Sequence, residues 1–571
     1  DASYAENISL RNADLKAYND AIREIAKQRG AIFIDLFNGL SVNKIRLTDN
    51  GVHLNDKGLE TVALTVAPYF GAVDFILPSP DMLNAIREKN RLWFDCWRPA
   101  NWSFVYGDRI QWPFAKPSGD IVSLRAMLEA HKLLIAEADT RIYGGPKPAE
   151  KPSAPAPPPE KPISHEDQIA GFTLPEGYQI NLFADESLGV AKPTQFCWDE
   201  KGRLYVACSP TYPHPLPGVA PSDFILILED TDHDGKADKS TRFAEGLTMV
   251  QGVEIGAGGI YVCDFDQIIH LKDIDGDGKA DQKKILLSGF GIGDTHQLVN
   301  SISYGPDGCL WFSQGLHAFS RVETPYGVKH LDKAGIWKFN PRTLELTPYF
   351  NNGTAGHNCW GVAFDDWFQP FHKSGDRPHG YYSLPGLIEY ATPDDYHSVA
   401  NLFESSPKTT ALEFIGTKAL PEDIQGCALI GGYFGSVVEL HKLTDDGSGF
   451  VSKQLPRLLT SKDNSFRPVD VSVGPDGGIY LADWFNPVIG HYQASYADPK
   501  RDRSHGRIWR ITHKSLPPVK QPALAEMSVK ELIGELSSPE RCTRYQVRRL
   551  LSEKPSTEVL DAITKQLYFT D

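Results

Sequence analysis

The stretch from Pro193 to Val206 reads PTQFCWDEKGRLYV, and it decides the fold because the chain repeats its pattern three more times. Copies of the same length begin at Met249, Val299 and Pro468. Each copy has a glycine at its tenth position, followed after one residue by three apolar residues. This pattern predicts a strand, a tight turn at the glycine and a second strand.

Two looser copies, at residues 360–368 and 424–434, lie between the third and fourth copies. The six units then follow one another at intervals of roughly 45 to 65 residues, which is typical of β-propeller blades. Residues 175–183 and 506–512 are expected to share one sheet, because such closure hides the sheet edges. The sequence therefore predicts a six-bladed β-propeller over residues 165–515.

The sequence before the propeller predicts three segments. Residues 1–75 contain a helical pattern ended by Gly30 and an extended stretch at 31–36, and they are interpreted as the C-terminal part of an α/β domain. Residues 76–144 are predicted to be a helical segment. Residues 145–164 are rich in proline and are expected to form a semi-rigid linker.

The sequence after the propeller, residues 525–571, begins with a capping box formed by Ser528 and Glu531. A few short helices cannot bury a core alone, so this segment is interpreted as the start of HEAT-like helical repeats. The chain opens in what looks like the middle of a domain, and we expect it to be a fragment of a longer protein.

Composition excludes several classes of function. The net charge is −15 and the pI is near 5.6, and lysines and arginines form no cluster, which argues against a nucleic-acid partner. No apolar run approaches the ~18 residues of a transmembrane helix. The eight cysteines form no Cys-x-x-Cys pair, which argues against a zinc knuckle or c-type haem and favours buried thiols.

Two aspartate-rich loops, 230–238 and 273–281, have the spacing of calcium-binding loops, with oxygen ligands at positions 1, 3, 5 and 9 and glycine at position 6. Position 12 is Thr241 or Lys284 instead of glutamate, so weak affinity typical of exported proteins is expected. Each loop is predicted to join two strands of one blade, where structural calcium is favoured over a solvated acidic turn. The predicted ligands are Asp230, Asp232, Asp234, the Lys236 carbonyl, Asp238, Asp273, Asp275, Asp277, the Lys279 carbonyl and Asp281.

Polar side chains stand where the innermost strand of each unit would begin. They are Gln195, Gln251, His296, Asn300, His357, Asn358, Arg467 and Asp470. Because loops entering these strands open onto the central channel, the side chains are expected to converge there. A histidine base beside an arginine that holds an anionic ligand suits an oxidoreductase or a hydrolase. For any single residue, a structural hydrogen-bonding role is the alternative.

Three motifs carry a family resemblance: Phe466–Gly477, Asp483–Pro487 and His505–Arg510. They resemble the membrane-bound dehydrogenases of planctomycetes and verrucomicrobia, a family similar to sorbosone dehydrogenases and soluble quinoprotein glucose dehydrogenases. The resemblance covers about residues 165–515. It implies a six-bladed propeller that binds pyrroloquinoline quinone and calcium in its channel.

The same resemblance implies roles for the channel residues. His296 matches the position of the catalytic base, and we predict catalytic roles for His296, Arg467 and Asp470. Cofactor binding is predicted for Asn300, His357, Asn358 and Gln251. The quinoprotein enzymes have an Arg-Asn pair after a Gly-His in the fourth unit, whereas this chain has Gly356-His357-Asn358 without the arginine.

A second resemblance lies upstream, where Leu47–Gly58 is similar to the last block of SGNH-type hydrolases. His53 would be the base, but Asn50 stands where the family has aspartate. The chain contains no Gly-Asp-Ser or Gly-x-Ser-x-Gly nucleophile motif. Esterase activity is therefore not expected.

Two hypotheses follow. The first is a periplasmic or extracellular, calcium-binding quinoprotein-type dehydrogenase that oxidises a sugar or polyol, with a c-type cytochrome as a possible electron acceptor. The alternative is a non-redox propeller, either a sugar-binding module or a lactonase-like, metal-dependent hydrolase.

Overall fold

A computed structural model of the chain describes residues 2–42, 45–72, 78–107, 109–110, 124–144, 163–353, 358–375, 379–384, 388–392, 395–398, 401–489, 498 and 500–568. The predicted linker 145–164 lies outside the described residues except for its last two. The helices are α1 (Ala2–Arg29), α2 (Leu36–Ser41), α3 (Asp56–Val66), α4 (Pro80–Trp97), α5 (Leu124–Tyr143), α6 (His165–Gly171), α7 (Val529–Glu535), α8 (Arg541–Glu553) and α9 (Ser556–Tyr568).

The strands are, in chain order, β1 (Phe172–Thr173), β2 (Tyr178–Ala184), β3 (Pro193–Trp198), β4 (Leu204–Cys208), β5 (Asp223–Glu229), β6 (Lys239–Leu247), β7 (Gly252–Gly256), β8 (Gly259–Asp264), β9 (Gln267–Lys272), β10 (Gln282–Ser288), β11 (Asn300–Tyr304), β12 (Leu310–Gln314), β13 (Phe319–Thr324), β14 (Gly327–Asp332), β15 (Ala334–Asn340), β16 (Glu345–Gly353), β17 (Cys359–Phe364), β18 (Pro370–Ser374), β19 (His379–Tyr382), β20 (Ile388–Thr392), β21 (Asp395–Ser398), β22 (Asn401–Glu404), β23 (Thr410–Phe414), β24 (Ala428–Gly432), β25 (Val437–Asp446), β26 (Gly449–Gln454), β27 (Leu459–Ser461), β28 (Pro468–Val473), β29 (Ile479–Asp483) and β30 (Arg507–His513).

Within the described part of the chain, these strands form six sheets of four to six strands and one two-stranded sheet. The six larger sheets begin with β3, β7, β11, β17, β23 and β28 as innermost strands, and each innermost strand contacts the next, with β28 contacting β3. Buried apolar side chains fill the spaces between sheets. The prediction of a mainly-β propeller is confirmed.

The repeated hairpins are also confirmed. The four turn glycines, Gly202, Gly258, Gly308 and Gly477, have φ values of 79°, 68°, 73° and 79°. Each joins the first two strands of a sheet, and glycine adopts this left-handed conformation without a steric penalty.

One sheet is assembled from both ends of the propeller sequence. The strand β2 pairs antiparallel with β30, and Tyr178 lies opposite His513. The predicted sharing of a sheet by residues 175–183 and 506–512 is therefore confirmed.

The N-terminal region is helical where an α/β unit was predicted. Helix α1 ends at Arg29 as expected, and Gly30 follows with a φ of 63°. The predicted strand at residues 31–36 is wrong: this stretch pairs with no strand among the described residues and leads directly into α2. Extended backbone becomes a strand only when a neighbouring strand supplies hydrogen bonds. The SGNH resemblance stays a prediction.

The C-terminal region contains α7, α8 and α9, which share a small apolar core. The predicted capping box is confirmed, because the side chains and backbone amides of Ser528 and Glu531 bond reciprocally. Whether these helices start a HEAT-like repeat stays a prediction. Among the helices that the structure describes, none is long and apolar enough to cross a membrane. The cysteines are free thiols, mostly buried, as predicted.

Candidate functional site in the propeller channel

A small cavity of about 70 Å³ opens in the propeller channel and collects several of the predicted residues. His296, Gln251 and Asp470 all line it, together with Gln195. They come from different sheets and stand at or just before innermost strands, as the aligned hairpins predicted. The remaining described lining residues are Thr194, Tyr212, Ser301, Trp360, Thr410, Tyr433, Val469, Trp484 and Ile489. We call this space the upper cavity.

His296 is held in place from several sides. It lies in a short 3-10 helix, and its backbone amide donates a 2.9 Å hydrogen bond to Asp294 Oδ1. Asp294 Oδ2 in turn accepts from Arg109 at 3.0 Å. The imidazole Nδ1 contacts the Tyr212 hydroxyl, and the ring packs edge-on against Trp360 with centroids 5.8 Å apart. The ring therefore has a fixed orientation at the cavity wall.

Asp470 provides the one carboxyl group among the described lining residues of the upper cavity. Its Oδ2 accepts a 3.0 Å hydrogen bond from the Phe196 amide. Burial raises the pKa of Asp470 to about 8, because desolvation disfavours the carboxylate. At neutral pH the group is then mainly a neutral acid that can donate a hydrogen bond.

Gln251 presents an unpartnered acceptor. Its amide nitrogen donates a 2.7 Å hydrogen bond to the Thr295 carbonyl. The side-chain oxygen Oε1 is buried and has no hydrogen-bond partner. A buried acceptor left unpaired costs roughly 1–3 kcal/mol, which a ligand hydroxyl would recover.

Aromatic side chains form much of the cavity wall, and sequence reasoning did not assign them to the site. They are Tyr212, Trp360, Tyr433 and Trp484. Trp360 lies in a looser copy of the repeat, and Trp484 lies in the Asp483–Pro487 motif. The available signal was limited to Trp360, two residues after Asn358, and to Trp484, directly after Asp483.

A buried lysine positions one of these aromatic residues. Lys192 Nζ donates to the carbonyl oxygens of Trp484, at 3.0 Å, and Phe485, and it pairs with Asp502 Oδ1 at 2.8 Å. Burial lowers the pKa of Lys192 to about 8, although Asp502 acts to raise it. Asp502 also contacts His505 Nδ1 at 2.5 Å. The motif around Trp484 is therefore fixed by an internal ion pair.

The structure does not place Arg467, a predicted catalytic residue, among the residues that line the upper cavity. Its guanidinium donates to the carbonyls of Asn486 and Tyr433, both at 3.1 Å, and to the Ser436 hydroxyl at 3.4 Å. Burial lowers the pKa of Arg467. These hydrogen bonds to Asn486, Tyr433 and Ser436 engage the guanidinium away from the lining of the upper cavity.

Two predicted cofactor ligands, Asn300 and Asn358, are likewise placed outside the lining of the upper cavity. Asn300 donates to the Leu298 carbonyl at 2.8 Å and accepts from the Ser313 hydroxyl at 2.8 Å. Asn358 accepts from the Leu316 amide at 3.0 Å. Neither lines the upper cavity. His357, the remaining predicted ligand, lies outside the described residues.

A second chamber of about 140 Å³ lies on the other side of Gln195, Ser301 and Asp470, which line both spaces. Helix α8 lies across this end of the channel and lines the chamber with several side chains. The Tyr545 hydroxyl donates a 2.6 Å hydrogen bond to Glu254, and burial raises the pKa of Glu254 to about 7.

The two aspartate loops share two internal hydrogen bonds. In each, the first aspartate accepts from the amide of the position-6 glycine at 2.9 Å, and that glycine has a φ of 87° or 88°. The position-5 aspartate accepts from the position-7 amide at 2.8 Å. Carboxylate oxygens converge within 4.8 Å of one another in both loops, from Asp230, Asp232 and Asp234 and from Asp273, Asp275 and Asp281. Both loops join strands of one sheet, as predicted.

His53, the residue of the second resemblance, lies beside Asn50. The Asn50 side chain contacts His53 Nδ1 at 2.9 Å and accepts from the His53 amide at 2.9 Å. Burial lowers the pKa of His53, although Glu323 and Asp49 act to raise it. An amide cannot supply the negative charge with which an aspartate stabilises a protonated histidine.

The sheets and the channel define a β-propeller with helical segments before and after it. The chain belongs to the family described as "Domain of unknown function (DUF7133)", whose sequence model matches residues 164–413 and 397–515. Comparison with curated proteins gives no match.

Several solved structures are similar in fold. The holo PQQ domain of pyranose dehydrogenase from Coprinopsis cinerea is 12% identical, with a TM-score of 0.42, and the match covers 60% of this chain and 97% of that one. PQQ-bound aldose sugar dehydrogenase from Streptomyces coelicolor is 14% identical, with a TM-score of 0.36 and coverage of 59% and 100%. An oxidoreductase (glucose dehydrogenase) from Thermus thermophilus is 16% identical, with a TM-score of 0.38 and coverage of 59% and 100%. Likeness at this level carries no argument about chemistry.

Proposed function

We propose that the upper cavity binds a sugar or polyol and that the protein is a sugar dehydrogenase-like propeller in which His296 accepts a proton from a substrate hydroxyl. The observation that carries this proposal is the meeting of His296, Gln251 and Asp470 in one cavity with aromatic walls. Aromatic faces pack against the C–H surfaces of a sugar ring, while a few polar groups orient its hydroxyls.

Each polar group of the cavity has a different proposed interaction with the substrate. Gln251 Oε1 is an unpartnered acceptor for one hydroxyl, and Asp470 in its neutral form is a donor to another oxygen. The imidazole of His296, oriented by Tyr212, takes the proton of the hydroxyl that reacts. Oxidation of that alcohol would also need an acceptor for two electrons.

Pyrroloquinoline quinone, the expected acceptor, is a polycarboxylate and is best held by cationic side chains. The described residues that line the upper cavity include no lysine or arginine, and Arg467 is committed to backbone carbonyls. These residues do not fit the quinone. We therefore assign the described lining to the sugar alone.

The same observation favours a second candidate, a non-redox sugar-binding module. A neutral ligand needs no cation in the cavity, and the described lining is of that kind. The lactonase-like alternative has less support, because the described residues place no group of three metal-ligating side chains in the channel.

The aspartate loops support a further part of the proposal. We infer that each loop binds one calcium ion, because carboxylate oxygens converge in the pattern of oxygen-ligated calcium sites. The absence of the position-12 glutamate favours millimolar affinity, which fits a periplasmic or extracellular location.

The test uses the full chain in calcium-containing buffer. Aldoses and polyols are titrated by calorimetry, and dye reduction is then measured with and without added pyrroloquinoline quinone. Sugar binding that Gln251→Leu abolishes, with Gln179→Leu as a control on the outer sheet surface, supports the cavity assignment. Dye reduction only with quinone selects the dehydrogenase, whereas binding without reduction selects the module. Absence of sugar binding in every condition overturns both.

A further inference from the structure

A cluster of potential metal ligands lies outside the channel, where the chain enters the propeller. His165 begins α6, and Asp185 and Glu186 follow the strand β2. One ligand atom from each residue lies within 4.8 Å of the other two. The mechanism proposed for the channel uses none of these residues.

The atoms of this cluster lie close together but are not aligned for hydrogen bonding. His165 Nε2 lies 3.0 Å from Asp185 Oδ2, yet the imidazole nitrogen is buried and has no hydrogen-bond partner. Glu186 Oε2 is also buried without a partner. Two unsatisfied polar atoms side by side would cost roughly 1–3 kcal/mol each. Convergence without hydrogen-bond alignment is the arrangement expected of atoms that share a cation.

Local structure presents these atoms to one another. Ser164 caps α6 by accepting a 3.1 Å hydrogen bond from the Asp167 amide, which fixes the position of the first helical residue. Asp185 caps the short 3-10 helix Glu186–Leu188 through Oδ1, which accepts from the Ser187 amide at 2.8 Å. The other oxygen, Oδ2, therefore remains for the cluster.

We propose that His165, Asp185 and Glu186 bind a divalent transition-metal ion, Zn²⁺ in the first instance. An imidazole nitrogen with two carboxylates is a donor set that suits zinc, whereas the aspartate loops offer only oxygen and suit calcium. The proposed ion is thus one of intermediate hardness, such as Zn²⁺, to which the protein gives one nitrogen and two oxygen donors.

The position of the site gives it a structural role. On another side of α6, Gln168 donates a 3.1 Å hydrogen bond to Asp483 Oδ2 and contacts Arg507. A metal ion at His165 would add a second attachment, to the end of β2. It would hold the residues that precede the propeller against the sheet that closes the ring.

The test is metal binding to the full chain after chelation, in buffer with millimolar calcium so that the aspartate loops are occupied. Zn²⁺ is titrated by calorimetry, and Co²⁺ is used as a spectroscopic probe of nitrogen ligation. We expect one Zn²⁺ site that raises the melting temperature, because the ion binds the folded state. His165→Ala and Glu186→Gln should each weaken it by more than about 100-fold, since even partners of metal ligands contribute up to that factor.

Matched variants separate this site from others. His330→Ala removes an exposed histidine on β14, and the double variant Asp230→Asn, Asp273→Asn disables the aspartate loops. Both should keep the Zn²⁺ site and its Co²⁺ absorption. Zn²⁺ binding that survives Glu186→Gln and His165→Ala, or a wild-type chain that retains no Zn²⁺ in calcium buffer, would overturn the proposal.

Discussion

The backbone amide of Ala237, in the first aspartate loop, donates a 2.8 Å hydrogen bond to the carbonyl of Phe183 on β2. The second loop repeats this contact, because Ala280 donates to Phe243 on β6 at 2.8 Å. Each loop therefore attaches its own sheet to the preceding one. The first attachment joins the sheet of β5 to the sheet that closes the ring.

Calcium removal should loosen these attachments. If the sites bind with Kd near 10⁻⁴ to 10⁻³ M, 10 mM calcium stabilises each by roughly 1.4–2.7 kcal/mol. We expect chelation to lower the melting temperature by a few degrees, as followed by calorimetry. Asp230→Asn should lose part of this calcium response, whereas Asp445→Asn on an exposed strand end should keep it. An identical response in the two variants would show that calcium acts elsewhere.

Replacement of His296 should separate binding from chemistry. If a substrate and acceptor are found, His296→Asn should lower kcat by about 10²- to 10⁴-fold, the usual contribution of a general base, with a smaller change in KM. Steady-state kinetics measure both constants, and His330→Asn is the control. Tyr212→Phe should change the pH profile of kcat, because Tyr212 contacts His296 Nδ1. Unchanged kcat in His296→Asn would remove the residue from the proposed mechanism.

Asp470 should make stability depend on pH. Its folded pKa of about 8 lies above the unfolded value of 3.8, so the folded state binds the extra proton between these values. The stability contributed by Asp470 is therefore fully present below about pH 4 and is lost as pH rises toward 8, by up to about 1.4 kcal/mol per pH unit. Asp470→Asn should flatten that slope in urea unfolding at several pH values. A slope unchanged by the substitution would contradict the raised pKa.

Lys192 should matter for stability as well as for the cavity wall. Lys192→Met leaves Asp502 buried without its cation, and breaking a buried pair in this way costs about 3–5 kcal/mol. Denaturant unfolding should show this loss, and the added change Asp502→Asn should restore part of it. Lys201→Met, at an exposed position, should be neutral. A neutral Lys192→Met would mean that Asp502 and His505 suffice alone.

The hairpins and the ring closure were predictable because the repeated pattern of apolar strand residues around a turn glycine indicates both the turn and the pairing of the two strands. Gly202 and its equivalents mark turns that the backbone can adopt only at low cost with glycine. The channel positions of Gln251 and Asp470 follow from the same alignment, because the two residues occupy equivalent positions in it, and His296 lies just before its own repeat. The internal geometry of the aspartate loops follows from side chain spacing alone.

The contacts of the Arg467 side chain could not be predicted from the sequence. Arg467 directly precedes its innermost strand, as the alignment predicts. A long side chain can reach several partners, however, and the sequence pattern does not show that the carbonyls of Tyr433 and Asn486 lie within reach. The prediction of a strand at residues 31–36 was wrong for a related reason. A strand forms only where another part of the chain supplies a hydrogen-bonding neighbour. His165, Asp185 and Glu186 also meet only through tertiary structure.

The pairing of Tyr178 with His513 sets the mechanical behaviour of the propeller. These residues are the first of β2 and the last of β30, so tension applied through the flanking helices pulls on the same end of an antiparallel pair. When both strands are pulled from the same end, their hydrogen bonds break one at a time, and the pair separates at low force. If the strands were pulled from opposite ends, all of their hydrogen bonds would be loaded at once. The hydrogen bonds of α6 and the pairing of β1 with β27 precede β2 along the chain, so we expect them to bear tension from the N-terminal side first.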